Sequence, residues 1–156
     1  MLWLDGGNDR DRFVTNENGR ILRAETVSQL HDLLPTEASL DIRWDEPDEI
    51  NLDGFRDEIN HFCSGHDLPG TSCQRLLNGW NFLDDLAYTL GISDHLSGRD
   101  NEQLNAIYQK IFKGCNLPSI TSKTYHAVLY ADEIRLLQGA LIELQSTILE
   151  KEPQRF

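Results

Sequence analysis

Four side chains near the middle of the chain are of types that bind metal or attack a substrate. His61, Cys63, His66 and Cys73 follow the pattern H-x-C-x2-H-x6-C. Imidazole and thiolate are the usual ligands of structural zinc, and a thiolate beside an imidazole makes a cysteine nucleophile. This spacing matches no zinc-finger pattern and no papain-type context. His61 and Cys63 straddle a predicted helix end, where Cys63 can serve as a small buried hydrophobe. No metal and no cofactor is therefore expected. A small cytosolic enzyme or metal-binding protein built on His61, Cys63, His66 and Cys73 stands as the alternative reading.

Acid–base chemistry needs two carboxylates in different environments facing one pocket. Asp84 and Asp85 are adjacent. Neighbours on a helix point about 100° apart, so these two do not face each other. Gly6-Gly7 is too short for a phosphate loop. The basic residues are scattered, which weighs against nucleic-acid binding.

Charge is more informative. The 156 residues carry 26 acidic and 14 basic side chains, a net charge of −12. Such a field repels nucleic acid and anionic lipid and attracts basic partners. Between Glu37 and Asp67 stand ten carboxylates against only Arg43 and Arg56, so this segment holds −8 of the total. Trp44, Ile50, Leu52 and Phe55 are interleaved with the acids. A charge run is usually a solvated face. Aromatic anchors ringed by one sign of charge also suit an interface with a basic protein. The candidate contacts are Trp44 as anchor and Asp45, Glu46, Asp48, Glu49, Asp53, Asp57 and Glu58 for charge.

The elements that must position these residues are read from periodicity. Residues 12–24 hold two β-prone runs around Asn18-Gly19, a hairpin signal. Residues 26–34 read as a helix capped by Thr26 and Gln29, with Val27, Leu30 and Leu34 on one face. Residues 39–44 alternate as a half-buried strand. Leu52, Phe55, Ile59 and Phe62 mark an amphipathic helix. Residues 100–112 read as a helix capped by Asp100, with Gly114 just past its end and a short strand near Val128. In residues 131–150 a 3-4-3-4 stripe of Ile134, Leu137, Leu141, Leu144 and Ile148 suits either a bundle seam or pairing with a second chain. A homo-oligomeric scaffold on that helix is thus a further alternative.

The helix over residues 71–91, TSCQRLLNGWNFLDDLAYTLG, carries the most. Leu76, Leu77, Trp80, Leu83, Ala87 and Leu90 share one face, while Phe82 and Leu86 extend it. A helix apolar on more than one side belongs in the middle of a domain. Asn78, Asn81, Asp85 and Tyr88 then form a polar strip expected to be buried and hydrogen-bonded to neighbouring elements. Gly79 would let another element approach closely.

These pieces predict an α+β fold: a small antiparallel sheet, from the N-terminal hairpin plus one or two strands, packed against a mainly helical layer of about five helices. Residues 1–150 should form one globular domain, and 151–156 a loose tail. No run of about 18 apolar residues suggests a membrane span. The start, MLWLDGGNDRDR, has no basic-then-apolar pattern of a secretory signal. With an odd number of cysteines as well, a reducing cytoplasmic location is expected.

CQRLLNGWNFLDDLAYTLG, followed by IYQKIFKGCNLPSIT and then ADEIRLLQGALIELQ, resembles immunity proteins of bacterial contact-dependent growth inhibition and related bacteriocin-type toxin systems. The resemblance covers residues 62–145. Its most specific parts are LLNGWNFLDDLA and F-x-G-x-NLPSIT. It implies a non-catalytic protein that binds the basic toxin domain of a cognate effector, often a nuclease, most simply as a monomer in a 1:1 complex. An acidic inhibitor complements a site built to hold phosphates. That agrees with the acidic segment.

Overall fold

The computed structural model describes residues 1, 3–4, 11–34, 51–61, 64–92, 101–117 and 124–151. In chain order the elements are β1 (Trp3–Leu4), β2 (Arg12–Phe13), α1 (Val27–Asp32), α2 (Leu52–His61), β3 (Asp67–Leu68), α3 (Gly70–Thr89), α4 (Glu102–Gly114), β4 (Ala127–Val128) and α5 (Ala131–Lys151). The class is α+β, as expected. The strands form two separate antiparallel pairs, β1 with β2 and β3 with β4. The strand expected over residues 39–44 lies outside the described residues, as do residues 152–156.

The Asn18-Gly19 turn forms, but its arms meet in a single bridge, Thr15 with Ile21. Asn16 organises the loop: its side-chain oxygen accepts the amides of Asn18 and Arg20, each at 3.0 Å. Gly19 takes φ +71°, the left-handed region that favours glycine. At α1 the Thr26 hydroxyl accepts the Gln29 amide at 3.2 Å, and Gln29 Oε1 accepts the Glu25 amide. The box therefore closes one residue upstream of the cap. Val27, assigned above to the buried face, is exposed; Leu30 is buried and Leu34 half-buried.

α3 is the axis. α2, α4, α5 and β2 all pack on it. Leu76, Leu77, Trp80, Leu83, Leu86 and Ala87 are buried, and the core cluster runs from Phe13 to Ile148. The helix ends in a Schellman motif. Gly91, at φ +64°, donates to the Tyr88 carbonyl, and Ile92 donates to that of Ala87. Gly79 is there for close approach: a Cβ would sit 2.6 Å from Cδ2 of the Phe55 ring on α2.

Two details of α4 differ from expectation. Its cap is Asn101, whose side chain accepts the amides of Gln103 and Leu104 at 3.0 and 3.1 Å. Asp100 lies outside the described residues. Both residue types cap well, so the buried faces of Leu104, Ile107 and Ile111 select the register. Gly114 is the last helical residue rather than the one after it. It lacks a side chain because a Cβ would lie 2.5 Å from Cys73 Sγ and 2.7 Å from Ala127 Cβ. The left-handed position falls to Asn116, φ +51°. Its side chain donates to the Gly114 and Tyr125 carbonyls and accepts the Tyr125 amide at 2.6 Å. One carboxamide thus ties both ends of the connection leading to β4.

The stripe on α5 is an internal seam. Ile134, Leu137, Leu141, Leu144 and Ile148 are all buried within the chain. Of the two readings of that spacing, packing inside one chain is the one realised. Lys110 on α4 donates to Glu133 at 2.7 Å and to the Val128 carbonyl, fastening α4 to β4 and α5.

Candidate functional site

Of the candidate contacts, Trp44, Asp45, Glu46, Asp48 and Glu49 lie outside the described residues. Asp53 falls in α2, and only its place in the helix is described. Asp57 is exposed on α2. Glu58, one residue on, turns toward α3. Its two oxygens accept from Arg75 Nε at 2.6 Å and Arg75 Nη2 at 2.9 Å. The Glu58 side chain is 15% exposed against 60% for Arg75. The hydrogen bond from the Arg75 guanidinium, helped by the Ser72 hydroxyl, holds the Glu58 carboxyl below its usual range against the opposing effect of burial. A depressed folded-state pKa stabilises above the ordinary glutamate range, and that contribution fades as pH falls through the depressed value.

α2 runs antiparallel to α3. Phe55 meets Gly79, and Glu58, further along α2, meets Arg75, further back on α3. Phe55 and Ile59 are buried, and Asn60 accepts from Gln138 of α5 at 3.2 Å. Arg75 and Gln138 had no local signal as partners. They are 17 and 78 residues away from their acceptors.

The polar strip on α3 is not buried, which corrects the expectation above. Asn78, Asn81 and Tyr88 are exposed and Asp85 is half-buried. Asn78 accepts from Gln74 of the same helix at 2.8 Å, and Asn81 accepts from the Tyr108 hydroxyl of α4 at 3.1 Å. Among these bonds only Asn81 reaches a neighbouring helix. Leu86 is buried as expected, and the apolar face was drawn too wide at Phe82. Phe82 is only half-buried, edge-on to Phe13 of β2 at 5.2 Å, so the side of α3 left over faces solvent.

The His/Cys set does not converge among the described residues. No group of three or more His, Cys, Asp or Glu side chains there could hold a metal. Cys63 lies outside them. His61 Nδ1 is 2.6 Å from the Asp57 carbonyl, and His66 Nδ1 is 3.3 Å from the Ser64 carbonyl; both are exposed. Cys73 is buried, and burial, then the neighbouring Cys115, pushes its thiol up to about 11. At neutral pH it is protonated and a poor nucleophile. Native protein treated with iodoacetamide at about pH 8 should leave Cys73 unmodified and react there only once unfolded. Peptide mapping reads this directly, and equal labelling in both states would contradict the burial argument.

One surface feature was not foreseen. An open groove of about 500 Å³ is lined by Arg12, Phe13, Val14, Thr15, Tyr88 and Thr89. The Thr89 hydroxyl accepts the Phe13 amide at 2.9 Å and donates to the Asp85 carbonyl at 2.7 Å, joining β2 to the end of α3. The lining offers a guanidinium, a phenol and hydroxyls, which can hydrogen-bond a ligand. Among the described residues the lining holds no carboxylate or imidazole.

No described helix is long and apolar enough to cross a membrane. No protein-family model, no curated protein and no solved structure matches this chain.

Proposed function

We propose that this chain is an immunity protein of a bacterial toxin system, which neutralises a cognate toxin domain by binding it. The observation that carries this reading is the acid concentrated between Glu37 and Asp67 and interleaved with apolar side chains. The complementary partner is basic. A nuclease domain has that character because it must hold phosphates. The inhibitor acts by charge and shape, in the cytoplasm of the producing cell, as a monomer in a 1:1 complex. It performs no chemistry and needs no cofactor.

The residues of the family resemblance support a division of labour. LLNGWNFLDDLA lies in the core helix α3, and Asn116 of NLPSIT is the clamp described above. Such residues serve the scaffold, so relatives that block different toxins can share them. Target choice then rests with the acidic segment.

The test is a pull-down with the toxin domain encoded beside this chain, at low ionic strength and at about 0.5 M salt. Capture at low salt that weakens at high salt supports the reading. Failure to capture that domain under both conditions would sink it.

A further inference from the structure

Glu58 has the sequence context of a partner contact, yet its surroundings are those of an internal fastening. α2 is ten residues long, and among the described residues apolar packing, an ion pair and a hydrogen bond join it to the rest of the chain. Phe55 and Ile59 set how deeply it sits. The Asn60–Gln138 hydrogen bond touches its C-terminal end. Apolar contacts are non-directional and leave a short helix room to roll or slide. The two-pronged Glu58–Arg75 pair is directional. It adds a directional constraint on how α2 is rolled, and Asp57, about 100° further round the helix, is exposed.

We propose that the Glu58–Arg75 pair is a positioning clamp, setting the orientation in which α2 presents Asp57, and that Glu58 is not itself a partner contact. This rests on the proposed function, and it adds Arg75 as a positioning residue that the acidic segment does not contain. The sign of the Arg75 charge makes the proposal sharp. The Arg75 side chain is 60% exposed, and its positive charge repels a basic partner. If the pair mattered only through charge, removing Arg75 would tighten binding. As a clamp, its removal weakens binding.

The experiment compares Arg75→Gln, Glu58→Gln and the swap Glu58→Arg/Arg75→Glu for affinity to the cognate toxin domain. Each variant is first checked for cooperative melting. Both single variants should lose about tenfold in affinity, while the swap should recover most of it. The salt dependence of association should not weaken in Arg75→Gln, because the acids that steer the partner remain. Tighter or unchanged binding by Arg75→Gln, or a swap that fails to recover, would overturn the proposal. Amide exchange over α2 supplies a readout that needs no partner. It should quicken in both single variants and return toward normal in the swap; exchange unchanged by either substitution also overturns the clamp. If the unaltered chain fails to bind the toxin domain, the immunity reading falls, while amide exchange still decides whether the pair holds α2.

Discussion

Trp80→Ala is expected to lose about 3–5 kcal/mol of folding free energy. Trp80 is one of the largest fully buried side chains, in the middle of the helix on which four elements pack. Its indole meets the Tyr108 ring edge-on at 5.4 Å. Tyr108 in turn stacks on Phe112 at 6.3 Å and donates to Asn81. Truncation removes the transfer energy of the indole, opens a cavity between α3 and α4, and takes away one of the two aromatic partners of Tyr108. Domains of this size are stable by only about 5–15 kcal/mol, so the variant should lose a large share of its stability. Trp80→Phe keeps much of the volume and should cost less. Urea denaturation followed by far-UV circular dichroism checks both, with a lower midpoint and an unchanged slope. A loss below about 1 kcal/mol for Trp80→Ala would mean that α3 is not the axis of the core.

Much of that core could be read from spacing alone. The buried faces of α2, α3, α4 and α5 follow the 3.6-residue period, and the need for a small residue at Gly79 was visible beside Trp80. Other features had no local signal. Asp100 and Asn101 are both good caps, and only the buried register of α4 chooses Asn101. Gly114 resembled a helix terminator. Its actual role, admitting Cys73 and Ala127, depends on chain segments distant in sequence. The strip Asn78, Asn81, Asp85 and Tyr88 was misjudged because periodicity gives the angle of a face and not what covers it. Glu58 was grouped with its acidic neighbours, although its partner comes from the next helix. The groove at Arg12 and Tyr88 arises where β2 docks on the end of α3, a contact between segments 76 residues apart.

Reversing Asp45, Glu46, Asp48 and Glu49 to Lys should weaken toxin binding by about a hundredfold or more, chiefly through slower association. The change moves the net charge from −12 to −4 and inverts the sign of the densest part of the acidic segment. Steered association between complementary surfaces can approach about 10⁸–10⁹ M⁻¹s⁻¹ at low salt, against about 10⁵–10⁶ without steering. Loss of steering therefore leaves room for an effect of this size. Charged side chains seldom pack in a core unless paired, so the melting temperature should hold or rise slightly as self-repulsion falls. Stopped-flow association with the toxin domain across a salt series separates the two contributions. Unaltered rates in the reversed variant would remove this segment from the interface.

The most direct measurement of the central claim is a titration of the cognate toxin domain's own activity with this chain. The account predicts that inhibition at low salt is complete at one equivalent, and that added salt raises the amount required. Undiminished toxin activity in the presence of excess folded chain would contradict it.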